Sequence, residues 1–346
     1  MNQLVKIDTI YSQIAELLQS ARNTVVRTVN QTMVSTYFEI GRMIVEEEQQ
    51  GKERAEYGKQ LLKDLAFKLT QDFGKGFSVA NLRQMRAFYL TYAIQQKISA
   101  ELQAPIFRLG WSHYLKLMRM DDVAERQFYE IECDRNHWSL RELQRQFDSA
   151  LYHRLALSRD KEGIKQLSQH GQRVEKPGDV IKDPYVLEFL GLPEKYRYSE
   201  SDLEQHLIDK LEHFLLELGK GFTFVGRQVR MTFDEKHFRI DLVFYNRLLR
   251  CFVIIDLKIG ELTHQDLGQM QMYVHYYDRF VKLPEENKTV GIVLCRDKNE
   301  TLVEMTLPED NDSIFASRYQ TVLPDKETLK QLLADKGFDA ETTSEV

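Results

Sequence analysis

Cysteine is scarce in this chain of 346 residues, which contains only Cys133, Cys251 and Cys295. The three lie far apart and leave an odd count, so the sequence predicts neither a disulfide framework nor a paired-cysteine zinc site. Long apolar runs are also absent, and the first residues carry Asp8 and Glu16 among isolated apolar positions. We therefore expect no membrane span, no secretion signal and a location in the reducing cytoplasm.

Proline is equally rare, with seven residues, while 42% of the chain is hydrophobic and 29% is charged. This composition excludes a disordered or fibrous protein and indicates a folded, rather helical one. The length exceeds what one ordinary hydrophobic core supports, so we expect two domains.

A net charge of -6 argues at first against a nucleic-acid partner, which needs clustered Lys and Arg. The charge is unevenly distributed, with 26 Lys and Arg against 23 Asp and Glu up to Val180, and 21 against 30 beyond it. The first half is mildly basic, whereas the second has the carboxylates that a divalent cation requires.

Apolar residues recur every three or four positions in the first half, which predicts an all-α domain over residues 1–165. Helix starts are indicated at Ser78, at Ser112, and at Ser139, which with Glu142 forms a capping box that opens a helix toward Leu155. Glycines and prolines then predict a linker over residues 166–198.

The segment 199–346 predicts an α/β domain, a mixed sheet flanked by helices. Its predicted helices are Asp202–Leu218, Thr263–Phe280 and Lys326–Asp335. Its predicted strands are Thr223–Met231, Phe238–Tyr245, Arg250–Lys258 and Thr289–Cys295.

Three charged residues stand out in two of these strands. Side chains alternate along a strand, so Asp256 and Lys258 share one face while Leu257 points to the other. The preceding strand carries Asp241 among apolar residues, and a tight turn near Asn246 can bring the two carboxylates together. Two such carboxylates suit Mg²⁺, and a neighbouring lysine can orient the attacking water or stabilise developing phosphate charge.

This arrangement resembles the PD-(D/E)XK nucleases, and more specifically the bacterial YhcG family. The resemblance covers nearly the whole chain. It is carried in the second half by Phe214–Gly219, Phe224–Gln228, Ile240–Tyr245 and Gly268–Met270, and in the first half by Gly76–Ser78, Asn81–Arg86 and Leu109–Tyr114. The family often has Glu where this chain has Asp256.

The resemblance implies a restriction-endonuclease-like core in which Asp241, Asp256 and the Leu257 carbonyl hold Mg²⁺, with Mn²⁺ as a possible substitute, and Lys258 assists the nucleophile. It also implies active-site roles for Glu204 and for the pair Gln269 and Tyr273. Ser201 and Glu204 alternatively fit a capping box, and the pair fits a polar seam on an amphipathic helix. Gly268 in that helix suits close approach to the sheet.

Four residues are candidates for nucleic-acid binding. Arg227 and Gln228 lie in the first predicted strand of the sheet, near Arg230 and Arg239, although alternating charges on an outer sheet face also fit a solvated surface. Arg83 and Arg86 lie after the turn Gly74–Phe77, in a pattern that resembles a helix-turn-helix but is also common in helical bundles. Arg141, Arg145, Arg154 and Arg159 form a further basic stripe.

These observations predict a metal-dependent endonuclease acting on DNA, with a homodimer or other defence and restriction proteins as candidate partners. The alternative is a non-catalytic nucleic-acid-binding or adaptor protein that uses the nuclease fold as a scaffold. RNA stays open as a substrate, because this metal chemistry does not use the 2′-hydroxyl.

Overall fold

The computed structural model describes residues 2–50, 55–98, 106–192, 198–233 and 235–335. The chain divides into two compact units, Met1–Leu143 and Gln144–Val346. This division precedes the linker predicted at residues 166–198, of which residues 193–197 lie outside the described ranges.

The first unit is helical, as predicted. Its helices are α1 (Asn2–Gln50), α2 (Ala55–Phe73), α3 (Val79–Ile98), α4 (Trp111–Leu117), α5 (Val123–Asn136) and the start of α6 (Leu140–Asp148). The prediction of a start at Ser112 was wrong by two residues, because Gly110 is the N-cap of α4. Across the described residues, no helix has the length and apolar character needed to cross a membrane.

Aromatic side chains form much of the core of this unit. The Phe88 ring lies 4.8 Å from Phe107 and 5.1 Å from Tyr114, centroid to centroid. Helices α1 and α3 approach closely at Gly41, where a Cβ atom would lie 2.1 Å from the Met85 carbonyl oxygen. Only glycine allows this contact between the two backbones.

The second unit contains the rest of α6 and a helix-flanked sheet. Its further helices are α7 (Leu151–Leu157), α8 (Lys161–His170), α9 (Glu200–Asp209), α10 (Leu211–Leu218), α11 (His264–Phe280), α12 (Glu300–Thr306) and α13 (Lys326–Asp335). Its strands are β1 (Tyr185–Val186), β2 (Phe222–Phe233), β3 (Lys236–Asn246), β4 (Cys251–Glu261), β5 (Val290–Asp297) and β6 (Ile314–Gln320).

The described strands form a mixed six-stranded sheet in the order β1-β6-β5-β4-β3-β2. Strands β2, β3 and β4 pair antiparallel, whereas β4, β5, β6 and β1 run parallel. One face packs against α9 and α10, and the other against α11. Strand β4 is therefore buried on both faces, as its continuous apolar run predicted.

Sequence periodicity missed β1, α12 and β6. Strand β6 interrupts its apolar residues with Ser317 and Arg318, and β1 has only two residues. Both strands exist because they add parallel partners to a sheet already anchored by β4 and β5, which is a tertiary effect.

Two predicted helices are each divided in the structure. The one predicted over Asp202–Leu218 breaks at Lys210, where φ is -120° and ψ is 36°. The one predicted from Ser139 toward Leu155 breaks at Ala150, which has a left-handed φ of 53°. The second break lets the Arg154 guanidinium donate to the Ser149 carbonyl, a buried contact that outweighs local helix propensity.

Arg154 does not belong to a basic surface stripe, so that prediction was wrong for this residue. Its side chain is fully buried and forms a salt bridge with the carboxylate of Glu217 in α10. Sequence spacing on α7 could not distinguish a buried arginine from an exposed one, because its partner lies 63 residues away.

Candidate active site

Three neighbouring strands bring the candidate active-site residues together. Between β2 and β3, Arg227 pairs with Leu242 and Val229 with Ile240, which places Gln228 opposite Asp241. Between β3 and β4, Leu242 pairs with Ile255, so Asp241 and Asp256 face each other one position beyond. The antiparallel register therefore brings the two carboxylates together, as the sequence predicted.

Asp256 and Lys258 share a face of β4, as the alternation of side chains predicted. Lys258 Nζ lies 2.9 Å from Asp256 Oδ2, and Leu257 is fully buried in the core on the opposite face. Asp256 itself is only 2% exposed, so its carboxyl group is largely removed from water.

Asp241 is held by two donors. Its Oδ2 accepts a hydrogen bond of 2.8 Å from the Leu257 backbone N–H, and its Oδ1 accepts one of 3.1 Å from Gln228 Nε2. The first bond ties the carboxylate of β3 to the backbone of β4, next to Asp256. The two acidic groups are thereby fixed beside each other by the sheet itself.

The environment of Asp256 disfavours its ionised form. Burial raises the pKa of this carboxyl to about 7, the nearby Asp241 charge adds to the increase, and Lys258 offsets part of it. A buried carboxylate beside a second, half-buried one with incomplete charge compensation is common at functional sites.

Lys258 remains a cation at neutral pH. Burial alone would lower the pKa of its amine, but the charges of Asp256 and Glu200 outweigh this and raise the pKa above the ordinary value. An amine with a raised pKa is a poor general base, so the chemistry available to Lys258 is that of a fixed positive charge and hydrogen-bond donor.

Glu204 is a third carboxylate of the site, linked to Asp241 through Gln228. Gln228 Nε2 donates to Glu204 Oε2 at 2.6 Å while it also contacts Asp241. Gln228 holds this position with a left-handed φ of 48°, which is rare for glutamine. The alternative capping role of Glu204 was wrong, because α9 is capped by Ser199 with Asp202.

Gln269 and Tyr273 pair on one face of α11. The Gln269 amide donates to the Tyr273 hydroxyl, which donates to the Arg239 carbonyl at 2.9 Å. Arg239 lies two residues before Asp241, so this pair ties α11 to the strand that carries the carboxylate. Burial raises the pKa of Tyr273, which keeps its hydroxyl a donor.

Helix α11 begins with a capping box and a hydrophobic staple. Thr263 and Asp266 form the capping box, and Leu262 and Leu267 are buried on either side of it. The proposed close approach of Gly268 was wrong, since a Cβ there would meet no atom within 4 Å.

Glu200 and Asp266 are site residues that the sequence analysis missed. Lys258 Nζ lies 3.8 Å from Glu200 Oε2 and 4.0 Å from Asp266 Oδ1. Both acids start helices, where Asp and Glu are ordinary, so no local pattern distinguished them. Their position shows that Lys258 projects between α9 and α11.

The residues present fit a divalent cation held by few protein ligands. Asp256 Oδ2 is buried and accepts no hydrogen bond from the described residues, leaving only its ionic contact with Lys258. Across those residues, no three His, Cys, Asp or Glu side chains gather as a metal-binding group. Two carboxylates with a backbone carbonyl, completed by water and phosphate, match the preference of Mg²⁺.

The same charge arrangement predicts a pH-dependent stability in the absence of divalent cations. The folded-state pKa of Asp256 is about 7 against an ordinary 3.8, so folding becomes less favourable as pH rises between these values. Asp256→Asn is therefore expected to stabilise the protein by up to about 4 kcal/mol at pH 8 and far less at pH 4. Denaturant titrations in EDTA measure this difference.

Asp312→Asn is the matched control, because Asp312 is an exposed acid in the same unit. It is expected to change the free energy of unfolding by less than about 0.5 kcal/mol at either pH. An Asp256→Asn variant that is equally destabilised at both pH values contradicts the account of the carboxylate pair.

The candidate nucleic-acid-binding residues have varied surroundings. Arg227 is exposed and donates to Gln205 Oε1 at 2.9 Å, whereas Gln228 faces the carboxylates. Arg83 is exposed on α3, but Arg86 forms a 2.5 Å salt bridge with Glu48 of α1. Their nucleic-acid contacts stay predictions.

A helix-flanked mixed sheet with Asp241 on one strand and Asp256 and Lys258 on the adjacent strand defines a PD-(D/E)XK nuclease domain. Residues 178–334 match the family model described as "YhcG PDDEXK nuclease domain", and residues 13–154 match "DUF1016 N-terminal domain". The Escherichia coli K12 protein named "Putative nuclease YhcG" is 42% identical over 345 residues, covering 92% of each chain. The chain belongs to the YhcG family.

Solved structures resemble only part of the chain. The crystal structure of a repair endonuclease from Pyrococcus abyssi aligns with 38% of this chain and 50% of that chain, at 14% identity and a TM-score of 0.26. The structure of an EndoMS-dsDNA2 complex aligns with 38% and 49%, at 13% identity and a TM-score of 0.26. The chain thus spans about half the length of these solved proteins.

Proposed function

We propose that this protein is a metal-dependent endonuclease that hydrolyses phosphodiester bonds in DNA. The observation that carries the proposal is the half-buried Asp241 beside the buried Asp256, with Lys258 2.9 Å from Asp256. Holding two carboxylates together raises the pKa of one of them, an unfavourable arrangement that makes chemical sense if a cation and a phosphate complete the site.

In this proposal Asp241, Asp256 and the Leu257 carbonyl hold Mg²⁺ or Mn²⁺. The cation, when bound, supplies Lewis-acid activation of water and neutralises charge on the scissile phosphate. Lys258 orients the nucleophile and stabilises the charge that develops on the phosphate oxygens, as its raised pKa allows.

Glu204, Gln228, Gln269 and Tyr273 position these groups. Gln228 fixes the separation of Glu204 from Asp241, and Tyr273 anchors β3 through the Arg239 carbonyl. Their contacts keep the carboxylates in place before substrate arrives, which lowers the reorganisation that the reaction requires.

The proposal extends to the partners and the location of the protein. The helical unit engages DNA or a partner protein, with Arg83 and Arg86 in the first case, while Arg227 and Gln228 serve the nuclease domain. A homodimer or other defence and restriction proteins are the candidate assemblies. A cytoplasmic location agrees with three buried, unpaired cysteines.

The test is incubation of the purified full chain with supercoiled plasmid, linear duplex and branched DNA, each with Mg²⁺, with Mn²⁺ and with EDTA. Cleavage with a metal and none with EDTA is the expected result. Binding that weakens with salt, needs no metal and yields no product would instead support the adaptor alternative. Parallel reactions with RNA decide between the two nucleic acids.

Metal binding is expected to stabilise the wild-type protein in proportion to cation concentration. At a concentration 100 times the dissociation constant, linkage gives about 2.7 kcal/mol. Thermal unfolding with and without Mg²⁺ measures this, and Asp241→Asn with Asp256→Asn should lose most of the increase in melting temperature. If Mg²⁺ raises the melting temperature of the double variant as much as that of the wild type, the cation binds elsewhere.

A further inference from the structure

The first part of α1 exposes a large apolar face. Burial of apolar α1 side chains begins at Val34, which is fully buried, whereas the apolar side chains from Ile10 to Met33 are exposed. Eight large apolar side chains are at least half exposed, from 50% to 72%: Ile10, Tyr11, Ile14, Leu17, Leu18, Val25, Val26 and Val29. We call this set, with Ala21 and Thr28 between them, the α1 face.

The α1 face has the spacing of a helix-pairing seam. Successive steps of three and four residues connect Tyr11, Ile14, Leu18, Ala21 and Val25, and a further step of three reaches Thr28. Such a repeat keeps one stripe of a helix directed at a partner helix along its whole length. Solvated helices carry polar residues in this stripe instead.

The size of the α1 face matches a protein interface. Residues 10–29 extend over about 30 Å of helix. Its eight exposed side chains offer roughly 60–100 Å² each, or about 500–800 Å² in total. One partner in a stable complex contributes about 800 Å², whereas scattered apolar residues on a monomer form smaller patches.

We propose that the α1 face binds the same face of a second copy of this chain, with the two helices antiparallel. In this arrangement large residues meet small ones at two places, because Leu18 lies opposite Ala21 and Tyr11 opposite Thr28. The apolar residues Ile14 and Val25 also lie opposite each other. Interdigitation of large with small side chains is what close packing requires. A two-fold axis between the helices repeats each contact.

The stretch from Ile10 to Val29 has three charged residues, Glu16, Arg22 and Arg27. Arg22 is the one beside the seam, and its position supports the antiparallel orientation. Arg22 follows Ala21 and flanks the stripe. In a parallel pair in register, the charge of Arg22 would lie against the apolar side chain of Leu17 of the other copy, which is 70% exposed in the single chain. Antiparallel helices set it beside Ala15, a small residue that leaves the guanidinium in water.

The dimer does not depend on the proposed nuclease activity. If that activity holds, each dimer carries two copies of the Asp241, Asp256 and Lys258 group, one for each strand of a duplex.

Sedimentation equilibrium of the full chain over a wide concentration range tests the proposal. The wild type is expected at twice its 40.8 kDa. Leu18→Glu with Val25→Glu should raise the dimer dissociation constant by at least about 1000-fold, since each copy loses two buried apolar side chains. Gln13→Glu with Ser20→Glu, the same charge change on the opposite side of α1, should leave the dimer intact.

A wild type that stays monomeric at all concentrations overturns the proposal, as does a Leu18→Glu, Val25→Glu variant that stays dimeric. If that variant aggregates, Leu18→Ala with Val25→Ala replaces it and must weaken the dimer. Mixing Ile14→Cys protein with Val25→Cys protein under oxidising conditions should yield the mixed disulfide in excess. Predominant Ile14→Cys or Val25→Cys homodimers would establish a parallel pair instead.

Discussion

Asp256→Asn and Lys258→Ala are each expected to reduce DNA cleavage by at least about 1000-fold while the fold is retained. Asparagine has the shape of Asp256 but removes the charge that would hold a cation beside Asp241. Alanine at position 258 removes the lysine ammonium group, which lies 2.9 Å from Asp256 Oδ2 and projects between α9 and α11. Single-turnover cleavage of plasmid DNA at saturating Mg²⁺ measures both effects.

Lys288→Ala is the matched control for Lys258→Ala. Lys288 is 71% exposed and pairs with an exposed acid in the same unit, so its loss should change cleavage less than about twofold. DNA binding without metal should persist in Asp256→Asn, and this variant should be more stable than the wild type at pH 8. Loss of activity with gain of stability distinguishes a functional carboxylate from a structural one.

If both variants still cleave DNA, Asp256 and Lys258 take no part in the reaction. Cleavage lost together with cooperative unfolding would assign them a structural role instead.

Arg154→Met is expected to destabilise the second unit by about 3–5 kcal/mol, because it leaves a buried carboxylate without its main partner. Arg154 and Glu217 are almost completely buried, and Glu217 also accepts a 2.9 Å hydrogen bond from the Val186 N–H. Burial would raise the pKa of Glu217, but the charges of Arg154 and Lys182 hold it below its ordinary value. Denaturant unfolding at pH 7 measures the loss.

The combined change Arg154→Met with Glu217→Met tests the cause. If the unpaired charge dominates, the double variant is less destabilised than Arg154→Met alone, since both charges of the ion pair are removed. The amine of Lys182 remains, and burial lowers its pKa to about 8, so losing its charge costs little near neutral pH. Arg141→Ala, an exposed arginine on α6, should change stability by less than about 0.5 kcal/mol. A double variant as unstable as the sum of both single variants contradicts the argument.

Arg154 also bears on where the nuclease unit begins. Its partners include Glu217, the Pro184 carbonyl and the Ser149 carbonyl, all within the unit Gln144–Val346. A fragment that starts at residue 178, where the nuclease family match begins, lacks this arginine. We expect such a fragment to be less stable than one that starts at residue 144.

Much of the second unit could be predicted from periodicity. The bounds of β3, β4 and α11 agree with prediction to within three residues, because each has a long apolar pattern and a clear turn or cap beside it. The breaks at Lys210 and Ala150 have no such signal, since their neighbours favour helix on both sides. They follow from packing between residues distant in sequence.

The helix-then-sheet organisation in two units and the shared face of Asp256 and Lys258 could be predicted, because they follow from the alternation and spacing of neighbouring residues. Three features are evident only in the folded structure: Gln228 joins Glu204 to Asp241, Glu200 and Asp266 lie near Lys258, and Arg154 is buried. Each of these depends on which strands and helices become neighbours, and burial and charge compensation set that at long range, where local periodicity carries no information.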